Sequence, residues 1–117
     1  MADISLSLLV LKTHQLEELQ RFYSALGIVF CEEQHGRGPV HYAGQIGDVV
    51  LELYPLKGDE PADGSTRLGF AVPDLDSTLQ LLTETDLHEP TTARQTEWGY
   101  RAIIRDPDGR AVELCEK

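Results

Sequence analysis

Apolar and polar residues alternate over positions 4–12. Ile4, Leu6, Leu8 and Val10 share one face, and Leu9 and Leu11 the other. This predicts a strand whose far end is buried on both faces. The period then lengthens: Leu16, Leu19, Phe22, Tyr23 and Leu26 mark one stripe of a helix. Thr13 or His14 stands at its cap position, and Gly27 at its C-terminal end. A second strand is predicted over 28–33. A glycine-bearing loop, 35–39, follows, then a hairpin of strands 40–46 and 49–55 turning at Gly47-Asp48. Residues 57–65, polar and rich in Gly and Pro, read as a linker.

The same order then begins again. A strand is predicted over 67–72, and a helix capped by Asp74 carries Leu75, Leu79 and Leu82. A weaker strand spans 91–96. A last hairpin, 100–105 and 110–115, turns on Asp106-Pro107-Asp108-Gly109. Leu16 and Leu75 correspond at an offset of 59, and the blocks 50–53 and 111–114 at an offset of 61. This is an internal duplication of β-α-β-β-β units. It gives one domain, 1–117, with module one at 4–55, a linker at 56–65 and module two at 66–117. Glu52 and Glu113 then hold equivalent places on the last strand of each unit, each flanked by Leu or Val.

Composition narrows the function classes. Twenty Asp and Glu against ten Lys and Arg give a formal charge of −10 over 117 residues. That argues against nucleic acid and against an anionic membrane surface. The longest apolar runs fall far short of the roughly 20 residues of a membrane span, and residues 1–4 do not start like a signal peptide. Cys31 and Cys115, far apart in sequence and in no metal-type spacing, read as reduced strand residues of a cytoplasmic protein.

Several segments together resemble the vicinal oxygen chelate superfamily, which includes glyoxalase I, bleomycin-resistance proteins and extradiol dioxygenases. They are Arg21-Phe22-Tyr23 with Leu26-Gly27, Val50-Leu51-Glu52-Leu53-Tyr54, and Gly69-Phe70-Ala71-Val72-Pro73-Asp74-Leu75. Trp98-Gly99-Tyr100-Arg101 and the closing block from Asp106 to Leu114 complete the set. The resemblance implies an α+β fold in which two βαβββ modules form a curved mixed sheet around a cavity, in a homodimer. It also implies metal ligands on the first and last strand of each module, at positions matching Leu8, Glu52, Arg67 and Glu113. Leu8 has no donor atom and Arg67 brings a fixed positive charge. No metal is therefore expected there, no cofactor is expected, and glyoxalase I activity is not expected.

The expected function is binding of a small organic molecule, with the negative charge suiting a cationic or amphipathic one. The alternative is a metal-assisted lyase or isomerase acting on a small oxygenated metabolite. There Glu52 or Glu113 would be the general base, and His41 a nitrogen ligand or base. Hairpin register places His41 on the face of Glu52, opposite it or one pair away. Arg67 is expected to answer the Glu52 and Glu113 carboxylates. Tyr54, Trp98 and Tyr100 supply aromatic surface for a pocket. His35 reads as a loop or rim residue, His14 as a helix-start residue and His88 as a helix-end residue.

Overall fold

The computed structural model describes residues 3–86 and 91–117. Among these residues, eight strands and two helices follow one another as β1 (Leu8–Thr13), α1 (Leu16–Ala25), β2 (Phe30–Glu33), β3 (His41–Ile46), β4 (Val49–Pro55), β5 (Leu68–Val72), α2 (Leu75–Glu84), β6 (Arg94–Thr96), β7 (Gly99–Arg105) and β8 (Ala111–Glu116). They form two four-stranded mixed sheets of the same topology, β1-β4-β3-β2 and β5-β8-β7-β6, in an α+β arrangement with no closed barrel. In each, the first strand runs parallel to the last. Val10 lies opposite Glu52 and Gly69 opposite Glu113. The ladders thus reproduce both offsets found in the sequence, 59 on the first strands and 61 on the last.

Each helix covers one face of its sheet. Leu19, Phe22 and Tyr23 of α1 pack on Leu11, Leu51 and Leu53. Leu75, Leu79 and Leu82 of α2 pack on Val112, Leu114 and Ile104. All of these belong to one continuous buried cluster. Full burial of such side chains contributes roughly 1.5–3 kcal/mol each, which fixes which face of every strand turns inward. The opposite sheet faces carry Leu8, Val10, Glu52, Gly69, Ile103 and Glu113, and neither α1 nor α2 lies over them. No helix among the described residues is long and apolar enough to cross a membrane.

Three sequence expectations change. β1 begins at Leu8 because β4, its only ladder partner among the described residues, begins at Val49, so residues 4–6 have no described strand beside them. Ile4, Leu6, Leu8 and Val10 consequently form an exposed apolar stripe, at 86%, 63%, 49% and 37%. The far end of β1 is buried on one face only, through Leu11 and Thr13, while Lys12 is exposed. Helix α1 is capped by neither Thr13 nor His14. Thr13 ends β1 with its hydroxyl accepting from the Gln15 N–H at 3.0 Å, so Gln15 takes the cap position without a side-chain cap bond. Asp74 caps α2 as expected, accepting from the Ser77 N–H at 3.1 Å.

The halves are fastened together at the Asp106–Gly109 turn. Arg110, 1% exposed, donates to Asp106 and Asp108, each at 3.1 Å, and to the Lys12 carbonyl of β1. The Tyr23 hydroxyl donates to Asp106 at 2.7 Å, and the Gln15 amide to Asp108 and the Pro107 carbonyl. Burial opposes the charge on Arg110, but its hydrogen bond to Asp106 and the two carboxylates outweigh this and raise its pKa.

Candidate functional site

In a strand, successive side chains alternate between faces, so the leucines that anchor β4 and β8 to their helices force Glu52 and Glu113 onto the faces the helices leave open. Ala43 pairs with Glu52, which puts His41 one pair away on the same face. His41 is 1% exposed despite lying on that face, because its neighbours close over it. The Tyr54 ring stacks on it at 4.1 Å and 10°. Glu33, its ladder partner on β2, brings Oε1 to 3.3 Å from its Nε2. Glu52 brings Oε2 to 3.7 Å from the same nitrogen, and the Tyr54 hydroxyl lies at 3.3 Å. The other ring nitrogen, Nδ1, faces the Pro39 carbonyl at 3.2 Å. A carbonyl can only accept, so Nδ1 donates to it, while Nε2 is turned toward the two carboxylates, which also only accept, and Tyr54. His35 leans over the group, its ring 5.2 Å from that of His41 and its Nε2 3.6 Å from Glu33. Desolvation, followed by the charges of Glu52 and Glu33, pushes the Tyr54 phenol up from its ordinary value.

The open face of the second sheet carries different chemistry. Arg67, just before β5, and Arg101 on β7 both donate to Glu113, one to each carboxylate oxygen. Arg67 answers Glu113 as the sequence suggested, but Glu52 has His41 in that role. Each carboxylate therefore has its own counter-group. Ile103, 57% exposed, pairs with Glu113 across the ladder. Between the sheets, Leu6, Leu9, Val49, Leu51, Leu68 and Phe70 line an open groove of about 310 Å³, with Arg67 also in its wall.

The aromatic set does not gather. Tyr54 belongs with His41. Tyr100 alternates with Arg101 and so turns toward α2, where its hydroxyl donates to Asp76 at 2.7 Å; that hydrogen bond raises its pKa. Trp98 is 71% exposed in the β6–β7 turn. His14 lies ahead of α1, with its Nε2 against the Glu60 carbonyl of the linker; His88 falls outside the described residues. Cys31 and Cys115 are free thiols. Sequence reasoning missed two site residues. Arg101 was legible from the parity of the last hairpin, since it shares a face with Glu113. Glu33 was hidden by the 34–40 connection, whose length leaves the β2–β3 register open.

The family model described as Glyoxalase/Bleomycin resistance protein/Dioxygenase superfamily matches residues 5–114. Among solved structures, TnmS3, an antibiotic binding protein from Streptomyces sp. CB03234, is 25% identical at a TM-score of 0.75, with 99% of this chain and 98% of that chain covered. The oxidase ChaP-H2 is 18% identical at a TM-score of 0.75, covering 99% and 95%. An integron cassette protein from V. cholerae is 24% identical at a TM-score of 0.67, covering 99% and 97%. No curated protein matches the sequence significantly.

Proposed function

The chain belongs to the Glyoxalase/Bleomycin resistance protein/Dioxygenase superfamily, and on that premise we propose that it binds a small organic molecule against its open sheet faces without using the superfamily's metal position. The observation that carries this reading is the Arg67–Glu113–Arg101 cluster. Where metal-dependent relatives would place a ligand pair, two guanidinium groups already satisfy the carboxylate, and Leu8 offers no donor on the other strand. Those four positions do not fit a metal ion. What they leave is a surface with apolar patches at Leu8, Val10 and Ile103 and oriented charges at Glu52 and Arg101, the mixture that holds an amphipathic ligand. The antibiotic-binding character of TnmS3 favours the same class of ligand.

The proposal includes a cytoplasmic homodimer, with residues 1–117 as one domain of two modules. Its support is the apolar stripe of Ile4, Leu6, Leu8 and Val10, which a second copy would cover and which would turn an open face into a walled cavity. His41, Tyr54 and Arg67 then stand on the cavity wall, with Trp98 at its rim. Tyr100 supports the wall from the helix side.

Isothermal titration of the whole chain with bleomycin and with planar aromatic antibiotics tests the reading. Saturable binding that persists in a chelator, and that Ile103→Glu weakens at least about tenfold, is the expected result. An absence of binding across the panel overturns it. So does chemical conversion of a bound compound, which would assign a lyase or isomerase role with Glu52, Glu113 or His41 as the base.

A further inference from the structure

We propose that Glu33, His35 and His41 bind a divalent transition-metal ion of the Zn²⁺ class, at a place separate from the superfamily's metal position. One donor atom from each residue lies within 4.8 Å of the others. The spacing from Glu33 Oε1 to His41 Nε2 is 3.3 Å, and to His35 Nε2 it is 3.6 Å. Bonds of about 2.0–2.1 Å in tetrahedral geometry put neighbouring donors about 3.3–3.4 Å apart, so the group is already near the spacing that an ion would impose.

The electrostatics point the same way. His41 is held with its Nδ1–H on the Pro39 carbonyl, the outer-shell arrangement that fixes the tautomer of a metal-bound imidazole and makes it a better donor. Its Nε2 faces carboxylate oxygens of Glu33 and Glu52, so a divalent ion taking the place of a proton on this nitrogen would sit between an imidazole and two anionic oxygens.

Two imidazoles and one carboxylate select a borderline ion such as Zn²⁺, Co²⁺ or Fe²⁺ over Mg²⁺ or Ca²⁺, which take oxygen donors. Glu33 and His41 are fixed to each other by the β2–β3 ladder, while His35 rides on a loop containing Gly36 at φ +58° and can close onto the ion. Three protein ligands leave a coordination position free. This site stands whether or not the sheet faces hold an organic ligand.

The test is calorimetric titration of the chelator-treated full chain with Zn²⁺, with Co²⁺ as a spectroscopic probe whose visible bands report imidazole coordination. One ion per chain is expected. His35→Ala and Glu33→Gln, both at accessible side chains, are each expected to weaken it at least about tenfold with unchanged circular dichroism. Failure to bind a stoichiometric ion overturns the proposal, as does full affinity in both variants. Loss of the ion in Glu113→Gln with retention in His35→Ala also overturns it, by moving the site to the superfamily position.

Discussion

The two halves share a topology and a register, yet they spend their polar residues differently. The turn of the last hairpin, Asp106 to Gly109, is plugged into the other half through Arg110, Tyr23 and Gln15. Its counterpart at Gly47-Asp48 is exposed. On the open faces the first half pairs a carboxylate with a buried imidazole, and the second pairs its equivalent with two guanidinium groups. Duplication therefore preserved the hydrocarbon framework and let the charged positions diverge. Burial of leucines constrains both halves equally; the charges answer only to whatever lies beside them.

The sharpest way to break this comparison is at the two turns. Removing one member of a buried ion pair leaves the other uncompensated, at a cost of about 3–5 kcal/mol. Arg110→Ala is expected to lose that much in urea denaturation, because Asp106 stays buried. Asp48→Ala is expected to stay within about 0.5 kcal/mol of the parent chain. Equal losses would mean that the halves are not fastened asymmetrically.

Alkaline pH gives a second, smaller contrast. The 59-residue offset matches Tyr23 with Leu82, both fully buried, but only Tyr23 carries a hydroxyl. Burial and then Asp106 push its pKa up from 10.0. The folded value lies above the unfolded one, so this stabilisation is complete below the unfolded value and is lost as pH rises past it. The slope is about 1.4 kcal/mol per pH unit. Tyr23→Phe is expected to flatten that decline in urea midpoints measured between about pH 9 and pH 11, whereas Leu82→Met would leave it in place.

The smallest effect belongs to the exposed first-strand positions. Arg67, 60% exposed at its side chain, is screened by solvent and shares Glu113 with Arg101. Arg67→Ala should lower stability by less than about 1 kcal/mol in thermal unfolding. Leu8→Ala in the other half should do no more, since Leu8 is half exposed.

These contrasts also mark what could be read in advance. Alternation and helical period located every element, because burying leucines is a one-dimensional constraint written along the chain. The same alternation put His41 with Glu52, and the duplicated register put Arg67 with Glu113. Tyr100 was assigned to the pocket by its chemistry, whereas its parity sends it to α2. The Glu33–His35–His41 group needed the β2–β3 register, and the Arg110 clamp joins residues 98 positions apart. Neither spacing leaves a trace in local sequence.

The strand order has a consequence for how the chain is made. In each half the strand synthesised last is inserted between two made earlier, β4 between β1 and β3, and β8 between β5 and β7. On a ribosome, the opening strand of a half must wait for its parallel neighbour while about forty residues emerge, a delay of several seconds at about 5–20 residues per second. The first sheet can close once Pro55 has cleared the exit. Arg110 reaches the Lys12 carbonyl only after nearly a hundred further residues have been made, so docking of one half onto the other follows the making of both, and until then the nascent first half keeps a socket waiting for its plug.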